Sequence, residues 1–531
     1  MKTFWSKFNF LAAAALLTAG FSASVSAQVT CSAQAGTSPL SRLEGNTEPL
    51  GDIVLVCTGG TPTPAGQVVP PINITVDLNT NLTSKITSSF GATNFSEALL
   101  LVDEPNKLVQ VSSVGGQSNT LLNCGQDGAP DNGPSGPAVC SIVSTGVPTQ
   151  TYDGTPFANG SGGICNSGIN GITVVPGNNY GCGRPNAFQG RMTSAIGNNV
   201  VVFDGVPFDP PGAGIRVLRI TNLRGDAPLL KASTPISAVV SLSMGPGPTI
   251  TFTTGGTATT PLEVGFTQKA MSVSTPELST VRVQEQFASA WKVRNVANTV
   301  ANAIFMAGKW VYVSPNAKDP AQAAQNIPGI GYQSEDGFQW QNNTTNAPPN
   351  PNPPAGFGLP GYVATDANYP LNSLSFGGIN TGINADGVSS AGTRIALSFK
   401  TASSVTVPSV VYLHQVGSPS TTTGVMVLTS TDNAGAGPFS PGATTTIHNG
   451  GMAVYEVLYA DPFAIEYADI ECTLAGFLSS ATVTANLAPF YTTPAAAMAE
   501  PATSPIPRFT TADSTAVTIS ASIFGLIFSF F

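Results

Sequence analysis

Apolar and polar residues alternate with period two along much of this chain. Ile72, Ile74, Val76 and Leu78 are interleaved with Asn73, Thr75, Asp77 and Asn79. Ile395, Leu397 and Phe399 alternate with Arg394, Ala396, Ser398 and Lys400, and Val483, Ala485 and Leu487 with Thr482, Thr484 and Asn486. Such alternation predicts strands with one buried and one wet face. Further strands are expected at Asp52–Cys57, Glu97–Val102, Lys107–Ser112, Asn199–Phe203, Ile215–Thr221, Ile236–Leu242, Thr249–Thr253, Val405–Leu413, Gly424–Thr429, Met452–Tyr459 and Ala464–Ile470. Gly/Pro turns such as Gly205–Gly212 separate them. Many short strands with few helical periods predict an all-β chain of tandem antiparallel β-sandwich domains, Ig-like or jelly-roll-like, with long Gly/Pro/Asn-rich loops. Residues 284–308 fit either period, since Phe287, Trp291, Val296, Val300 and Ile304 suit a helical stripe; the flanking alternation favours strands.

Composition sharpens this picture. Of 531 residues only 9% are charged, against roughly 25% in a typical soluble domain. The 42% hydrophobic content supports a packed core, which excludes a disordered chain. Sustained heptads, a basic surplus and a second long apolar run are all lacking, which argues against coiled coils, nucleic-acid binders and helical membrane proteins. Lys2 and Lys7, the apolar run Phe8–Leu17 and the small residues Val25-Ser26-Ala27 read as a signal peptide over 1–27, cleaved after Ala27. Loss of the two lysines takes the net charge from −9 to −11. The expected location is extracellular or at the cell surface, with no spanning membrane helix after cleavage and no nucleic-acid partner.

The expected domains are a disulfide-containing sandwich at 28–245, a linker at 246–260, a second sandwich at 261–513 and an apolar tail at 514–531. The first domain carries a Cys-rich insertion near 113–198, and 342–362 is expected to be extended or disordered. Cys31, Cys57, Cys124, Cys140, Cys165 and Cys182 form an even set in an exported chain and imply a disulfide framework. Six cysteines allow 15 connectivities; proximity favours Cys31–Cys57, Cys124–Cys140 and Cys165–Cys182. Cys472 is left as a buried free thiol.

Candidate chemistry is sparse. His414 ends an apolar strand and His448 sits in a turn; neither accompanies a nucleophile motif. P-loop, dinucleotide and HExxH signatures are absent, so no catalytic, cofactor or metal residues are assigned. Asp127, Asp131 and Asn132 offer oxygen ligands, but Pro130 breaks an EF-hand loop. Asp461, Glu466, Asp469 and Glu471 cluster along one segment; Glu466 and Asp469 fall on opposite strand faces, which argues against a glycosidase pair. Trp310 with Tyr312, and Phe338 with Trp340, would each share a strand face and could stack on a sugar ring. The tail residues Ile523, Phe524, Leu526, Ile527, Phe528, Phe530 and Phe531 carry no charge and are too few to span a membrane as a helix. They read as a last strand packed in cis, as a strand donated to a neighbour, or as an assembly signal.

Gly51–Pro64, Ile72–Leu78 and Ser96–Pro105 resemble the opening of a group of secreted β-rich proteins of acidobacteria with no assigned activity. Val281–Arg294, Met452–Glu466 and Pro505–Phe509 resemble that group's second half, while the apolar tail departs from it. The resemblance implies a bacterial exported protein and no site residues. The expected function is that of a structural or adhesive surface protein, a subunit of an extracellular assembly or filament, associating with itself or with other surface proteins. The alternative is an extracellular polysaccharide-binding protein, with a glycoside hydrolase less favoured.

Overall fold

The computed structural model describes residues 28–36, 38–84, 86–90, 93–103, 144, 146–148, 187–193, 198–245, 251–252, 258–292, 303–306, 309–312, 392–436, 440–461, 463–476, 479–491, 508–511 and 514–521. Among them the regular secondary structure is β-strand, apart from one short 3-10 turn at Ala227–Leu229.

Strands Val29–Ala35 to Ala258–Gln268 build an eleven-stranded sheet among the described residues. It folds over a core that includes Ile53, Leu55, Ile72, Ile74, Val76, Phe203, Ile220 and Val264. The expected alternation is realised at Pro71–Leu78, where Ile72, Ile74 and Val76 are fully buried and Asp77 is exposed. Full burial of each such side chain contributes roughly 1.5–3 kcal/mol. Cys31 stands opposite Cys57 on neighbouring strands, and the two form a disulfide.

A nine-stranded sheet follows, with spatial order Met271–Glu277, Thr280–Glu285, Glu466–Glu471, Val410–Gln415, Ser418–Thr429, Met452–Tyr459, Arg394–Thr401, Ser480–Ala488 and Thr515–Ser520. Its core contains Val281, Val283, Trp291, Leu397, Phe399, Leu413, Tyr455 and Ile470. The two edge strands come back together, since Ser520 N–H donates to Leu278 O. Pro276 lies in the edge strand Met271–Glu277, and a proline there denies a neighbour one donor.

Thr515–Ser520, at the start of the tail assigned to 514–531, pairs with the second sheet. Two expectations need correction. The boundary at 246–260 falls too early: Ala258–Gln268 pairs with Pro235–Met244 and Leu40–Arg42, so the first sheet runs to residue 268 and the second starts at Met271. The strand expected over Val405–Leu413 is broken. Val405–Thr406 joins a small three-stranded sheet and Val410–Gln415 the large one, with Pro408 between, where a missing N–H and a restricted neighbour interrupt pairing. Within 284–308, Glu285 ends a strand, residues 286–292 turn rather than coil into a helix, and Ala303–Met306 is again a strand. The signal peptide, Lys107–Ser112, Cys124, Cys140, Cys165, Cys182 and 342–362 lie outside the described residues.

Segment 40–48 fastens the two sheets together. Arg42 is buried with Glu48; its Nη2 lies 2.7 Å and its Nε 3.0 Å from Oε1. Its Nη1 donates across the junction to Ala290 O and Thr393 Oγ1, each at 3.3 Å, and the guanidinium stacks 4.7 Å from the Phe509 ring centroid. Glu44 accepts from Ala270 N–H at 3.0 Å, and Asn46 N–H donates to Arg508 O at 2.8 Å. A Cβ at Gly45 would collide with the Glu48 carboxylate, so this close approach requires glycine.

Two predictions follow from these ties. Cys31–Cys57 closes a loop of 26 residues, so its reduction should lower stability by about 3 kcal/mol, read as a drop in Tm with reductant; an unchanged Tm would contradict this. Arg42→Met strands a buried carboxylate and should cost about 3–5 kcal/mol in urea denaturation. The double variant Arg42→Met, Glu48→Leu should recover most of that loss; no recovery would show that the ion pair is not its source.

Candidate functional site

The end of the second sheet nearest the junction concentrates the titratable chemistry. Strand Glu466–Glu471 lies between Thr280–Glu285 and Val410–Gln415, with Tyr467 opposite both Gln284 and His414. This register brings Glu285 and Glu466 side by side, and both side chains are fully buried. Glu285 Oε2 accepts the Glu466 backbone N–H at 3.1 Å, and its Oε1 accepts Trp291 N–H at 2.7 Å. Glu466 Oε1 accepts Asp461 N–H at 3.1 Å, while its Oε2 has no hydrogen-bond partner.

Burial dominates the electrostatics, because a charged carboxylate is costly away from water. It pushes Glu466 up to about 7; the Thr423 hydroxyl and Asp461 N–H offset this in part, and the Asp461 charge adds to it. Glu285 is raised well above the usual carboxylate range, again by burial first. The Trp291 N–H opposes that rise, the neighbouring Glu466 charge reinforces it, and the Lys292 charge opposes it weakly. Glu466 was visible in the sequence; Glu285 was not, because only the strand register joins the two.

Asp461 opens a turn that leaves the sheet. Its Oδ1 accepts Phe463 N–H at 2.9 Å, an Asx-type turn that fixes the local path. Phe463 is 77% exposed, Ile465 38% and Val416 42%, and Val416 N–H donates to Ile465 O at 2.9 Å. The acid pair therefore sits directly behind an apolar tip.

The remaining acids of the cluster separate as expected. Asp469 faces outward and holds Arg282 through two bonds of 2.6 and 2.7 Å, and Arg282 stacks on Tyr467 at 4.2 Å. Glu471 is exposed. His414 packs 5.7 Å from the Tyr467 ring, and His448 is exposed in its turn. Cys472 is a buried free thiol, as expected, and burial pushes it up to about 12.

Two more buried acids lie near the junction. Burial raises Asp226; its Oδ1 accepts Asn46 Nδ2 at 3.0 Å, while Asp226 Oδ2 and Asn46 Oδ1 lack partners. A proton on Oδ2 makes the carboxyl a donor and removes the buried charge. Glu44 is raised by burial too, against the N–H of Ala270 and the charges of Lys269 and Arg42. It lines a pocket with room for about one water, together with Lys269, Met271, Leu487 and Thr515.

Among the described residues no cluster of three or more His, Cys, Asp or Glu could hold a metal, and no helix is long and apolar enough to cross a membrane. Strand Lys309–Tyr312 places Trp310 and Tyr312 at alternate positions, with Phe305 opposite Trp310. Phe338, Trp340, the candidate calcium loop at Asp127–Asn132 and the tail from Ile523 to Phe531 lie outside the described residues.

No protein-family model matches the chain, and no curated protein matches it. A structure of the C-terminal domain of the AgI/II polypeptide BspA from Streptococcus agalactiae is similar over 93% of this chain and 100% of that one, at 7% identity and a TM-score of 0.24. A second structure, titled BspA_C_WT, gives the same figures. CfaE, the adhesive subunit of the CFA/I fimbria of enterotoxigenic Escherichia coli, is similar over 87% of this chain and 95% of that one, at 9% identity and a TM-score of 0.11. Likenesses at these TM-scores carry no functional argument; the all-β fold stands on the strands themselves.

The raised acids set the sign of the pH response. A carboxyl with a raised folded-state pKa binds more protons folded than unfolded, so its contribution is complete below about 4.5 and is lost as pH rises through the folded value. Stability should therefore be greatest in mild acid and fall towards and beyond pH 7. Asp226→Asn, which keeps a neutral polar group there, should flatten part of that decline in denaturation curves between pH 5 and 8. A stability rising over this range would contradict the assignment.

Proposed function

We propose that the protein is a secreted bacterial structural or adhesive surface protein that associates with copies of itself or with other surface proteins in an extracellular assembly. The observation that carries this reading is the junction: one buried arginine on the first sheet bonds to Ala290 and Thr393, which flank strands of the second, and this suits a part that must keep its shape under load rather than open around a substrate. The sheet edges agree with it. Outward positions on the edge strands include neutral polar residues, such as Thr30, Ser32 and Gln34 on one sheet and Thr518 on the other. In this reading the protein is not an enzyme and uses no cofactor, and its acids serve the fold.

The second reading is polysaccharide binding. It is favoured by strand Lys309–Tyr312, in which Trp310 and Tyr312 occupy alternate positions. That reading expects Trp310→Ala or Trp340→Ala to abolish retention on immobilised glycan, with no effect if the aromatic residues are core.

For the leading reading, negative-stain microscopy of the exported protein should show oligomers or fibres. Chain exchange through the tail predicts that deleting Ile523–Phe531 leaves monomers. Monomers with and without the tail would rule out that mode of assembly.

A further inference from the structure

We propose that the Glu285–Glu466 pair is a pH-sensitive latch that holds the apolar residues 463–465 against the sheet in acid and releases them when both carboxyls are charged. The claim goes beyond the structural role above and does not depend on it.

The connections are direct. The carboxyl of Glu285 holds the backbone of Glu466, and the carboxyl of Glu466 holds the backbone of Asp461, which opens the turn. The Asp461 side chain in turn holds Phe463. Three consecutive carboxyls thus carry the path from the sheet to the exposed ring. With Glu466 protonated, the pair holds at most one buried charge, and the orphan Oε2 is the free position for the proton. With both ionised, two like charges lie next to each other in a medium of low dielectric, and the cheapest relief is to move the segment between the sheet and water.

Few groups oppose that repulsion. On the turn, Asp461 adds a further negative charge. After strand Thr280–Glu285, Lys292 supplies the nearest positive charge, and its effect on Glu285 is the smallest of those acting there. Arg282 is engaged by Asp469 on the outer face. From Val410–Gln415 comes His414, stacked on Tyr467; from Ser418–Thr429 comes only the Thr423 hydroxyl. Release therefore builds as pH rises from about 4.5 towards the value of about 7 to which Glu466 is pushed, because opening lets a buried carboxyl shed its proton. The turn is built to move more readily than the strands, since Phe463, Ile465 and Val416 are exposed and contribute little core packing.

Chymotrypsin cleavage after Phe463, followed by mass spectrometry on the intact mature protein between pH 5 and 8.5, reads the opening of the turn. Dividing each rate by that of an unfolded peptide of the same sequence removes the protease's own pH profile. The corrected rate should rise by up to about tenfold per pH unit for each buried carboxyl that ionises on opening, from pH 5 up to about 7, and more gently above it. Glu466→Gln and Glu285→Gln each keep a neutral polar group and should flatten the rise. A flat wild-type profile overturns the latch, as does a rise that persists in either variant. Failure of both variants to fold at pH 5, where the pair is already largely neutral, would overturn it too.

Discussion

The fold depends on one buried ion pair set between two sheets. Arg42 and Glu48 lie six residues apart in the first unit, yet the arginine spends its remaining donors on Ala290 and Thr393 of the second. Removing two charges from water is unfavourable unless the geometry is good and every donor finds an acceptor. That demand fixes how the turn after Phe287 and the strand Arg394–Thr401 approach segment 40–48. It also reaches further. The peptide group between Ala290 and Trp291 is held on both sides, its carbonyl by Arg42 and its N–H by Glu285. Junction and acid pair thus share a single peptide group.

Scarce charge acquires a different meaning once its location is known. Arg219–Asp52, Arg394–Glu456 and Arg216–Asp103 are further pairs in which the arginine is buried. Glu44, Asp226, Glu285 and Glu466 are buried without a dedicated cation of equal strength. Among the described residues many of the chain's charges lie in the interior rather than on the surface. Its outer faces are left to Thr, Ser, Asn and Gln, whose hydrogen bonds are little affected by salt.

Much of this was legible in the sequence, because burial on one face imposes period two on the residues. Pro71–Leu78 and Ser480–Ala488 were apparent for that reason. The Cys31–Cys57 pair followed from proximity. The domain boundary was misplaced because a Gly/Pro/Thr stretch resembles a linker even when the next strand, Ala258–Gln268, returns to the preceding sheet. The break at Pro408 was hidden by an apolar run that crosses it. The partnership of Glu285 with Glu466 could not be read at all: it arises from strand order, and the residues stand 181 positions apart. Arg508 and Phe509 were noticed only through a family likeness, since a junction residue has no periodic signature.

Cys472 carries a consequence for the proposed export. A chain crossing into an oxidising compartment N-terminus first would join Cys31 to Cys57 long before Cys472 arrives. A thiol that emerged unpaired could attack an existing bridge, because exchange proceeds through the thiolate. Burial beside Ile470, with its acidity suppressed, removes that hazard once the second sheet closes. The vulnerable interval is the one between emergence and closure, and the strands around Cys472 guard a bond located in the other half of the molecule.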